Sequence, residues 1–113
     1  MENSTWVEFT SKYPEMANAF DASFREQMEL LGSKMLDYGT DNLKAGTQLK
    51  TKEEIQFALT GIWFRLNDKV QRWKNMILTD TVPNNESLYD TFMDIANYAV
   101  IAKLISRGIW DNK

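Results

Sequence analysis

Residues 51–79, TKEEIQFALTGIWFRLNDKVQRWKNMILT, decide the fold class. Ile55, Leu59, Ile62, Leu66, Val70, Trp73 and Ile77 recur at steps of three and four, which places them within about 80° of one another on an α-helix. A stripe that long has no counterpart in the period-two pattern of a strand. Thr51 opens the helix as its N-cap, and Glu53 and Glu54 fall in the first turn, where the helix dipole favours negative charge. The spacing predicts one long buried face. A second face of the same helix collects Arg65, Asp68, Lys69 and Arg72.

Two further helical patterns flank this one. From about Ala17 to Leu36, the residues Phe20, Phe24, Met28, Leu31 and Met35 share a face. The segment from Asp37 to about Lys50 carries Gly39, Asn42 and Gly46 and reads as a loop or broken helix. After a turn at DTVPNN, residues 80–85, Asn85 suits the cap of a helix from Glu86 to about Arg107. WVEFTSKYPEM, residues 6–16, adds a short helix at the N-terminus. No internal repeat or linker is visible. The expectation is a single all-α domain over residues 1–113, an antiparallel helical bundle of three long helices plus a short N-terminal one. The last helix is too apolar for one buried face, which predicts a homo-oligomer, a dimer or higher.

Composition excludes several kinds of chemistry. Without cysteine there is no disulfide or thiolate, and without histidine there is no imidazole base or metal ligand. Any metal must be held by oxygen, which points to Mg²⁺ or Mn²⁺. A net charge of −3 with no basic run argues against long nucleic acid as a partner. No stretch is apolar enough for a membrane span and the first residues lack the features of a signal peptide, so a cytoplasmic protein without a membrane partner is expected.

The last helical segment, YDTFMDIANYAVIAKLI at residues 89–105, is apolar nearly all round, yet Glu86, Asp90, Asp94 and Asn97 line up along it. One reading is a solvated charge row with no chemistry. The other is an inward-facing set of oxygen ligands for a hard cation that also touches phosphate, with Asp68 of the preceding helix completing the cluster. Arg65, Lys69 and Arg72 beside Asp68 suit phosphates next to a metal, or form ordinary surface ion pairs. Spacing leaves both readings open.

Three segments in order, KMLDYGTDN (34–42), GIWFRLNDKVQRWKN (61–75) and NESLYDTFMDIANYAVIA (85–102), resemble the nucleotide modification associated domain 1 family of phages and bacteria. That family is similar to the all-α nucleotide pyrophosphohydrolases, the MazG-like and dimeric dUTPase group. The most specific parts are the DYG, the string Arg65, Asn67, Asp68, Lys69 and Arg72, and the string from Glu86 to Ala99. The resemblance implies a bundle that binds a small-molecule nucleotide through Mg²⁺ and hydrolyses it between the α and β phosphates. It makes Asp68 and Asp94 catalytic and gives the metal to Asp68, Glu86, Asp90 and Asp94. Arg65, Lys69 and Arg72 neutralise phosphates. Asn97 fixes base or sugar or orients a ligand carboxylate, and Tyr38 and Asn42 close over the nucleobase.

The chain departs from the pyrophosphohydrolases at Thr91, which stands three residues before Asp94 where they carry a glutamate. Fewer carboxylates predict fewer metals, or none. The alternative is therefore a non-catalytic phage protein, placed in the host cytoplasm, that sequesters a nucleotide signal used in defence. A purely structural helical oligomer is a third reading.

Overall fold

In a computed structural model of the chain, which describes residues 4–79 and 87–110, helices run over Ser4–Lys12 (α1), Pro14–Tyr38 (α2), Lys52–Thr79 (α3) and Leu88–Ser106 (α4). These are the three long helices and the short N-terminal one that the sequence predicts, and among the described residues there is no strand. None of the described helices is long and apolar enough to cross a membrane. The chain divides into two compact units, Met1–Lys34 and Met35–Lys113.

The first unit holds α1 and most of α2. Pro14 opens α2 at the first helical position, where its missing N–H costs nothing. Phe9 of α1 gathers an aromatic cluster, with ring centroids 5.4 Å from Trp6, 5.3 Å from Tyr13 and 5.9 Å from Phe20. Ala17 is buried, while Phe24 and Met28 of the expected apolar stripe are exposed.

The second unit begins with the end of α2. Gly39, the glycine of DYG, takes φ 78° and so ends that helix in the left-handed conformation that a Cβ would disfavour. A 3-10 turn follows at Asp41–Lys44, burying Leu43 and packing on α3. The expected cap at Thr51 is present as a full capping box. Thr51 Oγ1 accepts from the Glu54 amide at 3.1 Å, and the Glu54 carboxylate accepts from the amides of Lys50 at 2.9 Å and Thr51 at 3.2 Å. The Lys50 amide does most to hold the Glu54 carboxyl below its ordinary range; partial burial opposes it, and the Gln48 and Thr51 amides add to it.

Helices α3 and α4 pack on each other as the main contact of this unit. Lys69 meets Asp94 and Trp73 meets Phe92, so positions rise on α3 as they fall on α4 and the pair is antiparallel. The core between and around them contains Ala58 and Ile62 of α3 with Met93, Ile101 and Ile105 of α4. The α3 stripe is less buried than its regularity predicts: Ile62 is buried, but Val70, Trp73 and Ile77 are exposed. One helical neighbour covers a narrower strip than the stripe occupies.

The N-cap of α4 is Ser87, whose Oγ accepts from the Asp90 amide at 3.0 Å, so this helix opens two residues after the predicted cap Asn85, which lies outside the described residues. It closes in a Schellman motif: Gly108, at φ 68°, donates to Ile105 O, and Ile109 donates to Leu104 O. That turn brings in Trp110, which is buried and donates from Nε1 to Thr40 O at 3.1 Å. The turn after α4 is thereby fixed to the loop that follows DYG.

Candidate functional site

The inner face of α4 carries Asp94, Asn97, Ile101 and Ile105, residues three, four and seven apart that a helix stacks on one side. Two of the four are polar, and both are held. The Asp94 carboxylate lies 2.9 Å from Lys69 Nζ, with the side chains only 12% and 19% exposed respectively. Asn97 is 5% exposed and also has a partner. No buried side-chain oxygen or nitrogen among the described residues lacks a hydrogen bond. Thr91, fully buried, donates its hydroxyl to Ser87 O at 3.2 Å.

The polar line predicted along α4 therefore divides. Asp94 faces α3 and Asn97 is buried, whereas Asp90 is exposed in the first turn, and Glu86 lies outside the described residues. Neither a solvated row nor a continuous inward set describes it.

Above the Lys69–Asp94 pair is a pocket of about 200 Å³ lined by Arg65, Asp68, Lys69 and Arg72 of α3 and Tyr98 of α4. All four α3 residues singled out from the sequence are brought together here. Helical spacing is the reason: positions 65, 68, 69 and 72 fall on consecutive turns of one face. Asp68 does not neutralise its neighbours. Neither Asp68 nor Arg65 has an ionic or hydrogen-bonding partner among the described residues, and Lys69 pairs across to α4 instead. Three cationic side chains and one carboxylate thus line the pocket.

Tyr98 is not among the site residues expected from the sequence, although its position four residues after Asp94 puts it on the same side of α4. Tyr38 and Asn42 do not line this pocket, and Tyr38 is 77% exposed. A larger hollow, about 640 Å³, lies along Ser4, Val7, Glu8, Ser11 and Lys12, but one face of α1 forms all of it, so nothing converges there.

Among the described residues no three acidic side chains come together in a way that could hold a cation. Asp94 is bonded to an ammonium, Asp68 lies on the pocket, and Asp90 is exposed near the start of α4. Asp68, Asp90 and Asp94 therefore do not gather into one cluster for Mg²⁺, and the fourth expected ligand, Glu86, lies outside the described residues.

Fold and pocket together define an all-helical protein with a cationic pocket between two antiparallel helices. The chain belongs to the Nucleotide modification associated domain 1 family, whose profile matches residues 34–105, well over half its length. No curated protein and no solved structure matches it. The matched stretch nearly coincides with the second compact unit and contains the whole pocket.

Proposed function

We propose that this protein binds a nucleotide, gripping the phosphates in the pocket formed by Arg65, Lys69 and Arg72. The observation that carries this reading is the lining itself: three cationic side chains converge with one acid, and Arg65 has no partner among the described residues. Guanidinium groups suit phosphate oxygens because they offer several donors in a plane. A space of about 200 Å³ suits a phosphate chain, with the base lying outside, since pockets enclosing a whole ligand are larger, roughly 300–1,000 Å³. Tyr98 supplies the one aromatic ring at the rim, for contact with sugar or base.

Binding without turnover is the form of this reading that the Lys69–Asp94 contact favours, because Asp94, one of the four acids expected to hold Mg²⁺, is already held by an ammonium. Such a protein would sequester a nucleotide. A pyrophosphohydrolase would need Asp94 released to a metal with Asp68. Self-association belongs to the same proposal: Tyr89 and Val100 leave part of the surface of α4 apolar and exposed.

The test is equilibrium binding of a panel of nucleoside mono-, di- and triphosphates, with pyrophosphate release followed in parallel in Mg²⁺. Tight binding that weakens with each phosphate removed, without release of pyrophosphate, supports sequestration. Pyrophosphate release abolished by Asp94→Ala would establish the hydrolase instead. Absence of binding to every nucleotide would end the proposal.

A further inference from the structure

We infer that the Lys69 ammonium takes the place of a divalent cation in this pocket, bridging the Asp94 carboxylate to the phosphates, so that nucleotide binding needs no metal. The inference rests on the nucleotide-binding reading above. In a metal-dependent phosphate site the cation has two tasks: it neutralises the acids that hold it and presents positive charge to phosphate oxygens. Lys69 is placed for both. Its Nζ lies 2.9 Å from Asp94 Oδ2 across the helix pair, and the same side chain lines the pocket. An ammonium has three donors, enough to bond a carboxylate and still reach a phosphate oxygen.

A resident Mg²⁺ at Asp94 would have to sit against this ammonium, two cations on one carboxylate in a space sheltered from water. Repulsion there is poorly screened because both side chains are largely buried. The remaining phosphate charge falls to Arg65 and Arg72, which stand one turn to either side of Lys69. The arrangement also fits the sparse acids: with the cation covalently attached to the chain, no cluster of carboxylates is needed to hold it.

A defined consequence follows for the variant Lys69→Ala, in which Asp94 becomes available and a dissolved cation can take the vacated place. Titration of a nucleoside triphosphate, and separately of inorganic tripolyphosphate, into the full-length protein in EDTA and in Mg²⁺ reads this directly. Wild-type affinity should be equal or tighter in EDTA, since chelation leaves more negative charge on the ligand. Lys69→Ala should lose about tenfold or more in EDTA, as expected for a charge-assisted hydrogen bond. Mg²⁺ should restore part of that loss, and Lys69→Arg should bind without metal.

Wild-type binding that EDTA weakens tenfold would overturn the inference while leaving nucleotide binding standing, and this arm depends on no variant. A folded Lys69→Ala protein whose affinity does not respond to Mg²⁺ would overturn it too. Wild-type protein that binds neither ligand removes the nucleotide-binding reading, and the inference falls with it.

Discussion

Two ion pairs in this molecule have nearly the same length and opposite significance. Arg25 and Asp21 meet at 2.8 Å on α2, one helical turn apart, with side chains 71% and 59% exposed. Lys69 and Asp94 meet at 2.9 Å across α3 and α4, sheltered from water on most sides. The first pair is local, salt-screened and easily replaced by hydration. The second joins two successive helices across their packed faces, and neither member can lose its partner without leaving a charge in a poorly hydrated place. Distance is the same; burial decides what each pair does.

The contrast is broken most severely by Lys69→Met. Stranding the Asp94 carboxylate should cost about 3 kcal/mol, the lower end of the range for breaking a buried pair on one side. Asp21→Ala should leave the thermal midpoint within error. The double variant Lys69→Met/Asp94→Leu should recover most of the stability and none of the phosphate binding. Equal midpoints for Lys69→Met and Asp21→Ala would show that burial does not separate the two pairs.

Smaller effects sharpen the same comparison at neutral groups. Thr91→Val removes a fully buried hydroxyl bonded to Ser87 O and should cost about 1 kcal/mol by chemical denaturation. Thr51→Ala removes one half of the capping box at the start of α3 and should cost about the same or a little less, roughly 0.5–1 kcal/mol.

The least of the expected effects depends on pH. Glu54 has a lowered pKa in the fold, so the stability it contributes is present above its unfolded value and lost as pH falls through the folded one. The difference in thermal midpoint between wild type and Glu54→Gln should therefore be largest near neutrality and shrink below pH about 4. A difference that grows in acid would contradict the capping geometry.

Much of the fold could be read from periodicity. The four helices, the Thr51 cap and the break after DYG follow from local rules that act over a few residues. Burial was harder, because a stripe states which residues share a face but not how much of it a neighbour covers; Val70 and Ile77 are exposed for that reason. Trp110 escaped notice because its partner, Thr40, is distant in sequence and no local pattern links them. The same limit applied at the site. Spacing gathered Arg65, Asp68, Lys69 and Arg72 correctly on one face, yet Lys69 and Asp94 are partners only because α3 and α4 run antiparallel in this register. Sequence placed Asp94 with the acids, and the fold places it with a lysine.

The central claim, that this pocket grips nucleotide phosphates, is tested most directly at Arg65, which lines it and has no partner elsewhere among the described residues. Calorimetric titration of a nucleoside triphosphate into wild type and Arg65→Ala isolates that contact from the fold. The account predicts a Kd raised about tenfold or more at an unchanged thermal midpoint, with a shallower dependence on salt. An Arg65→Ala protein of equal midpoint that binds as tightly as wild type would place the nucleotide elsewhere and contradict the account.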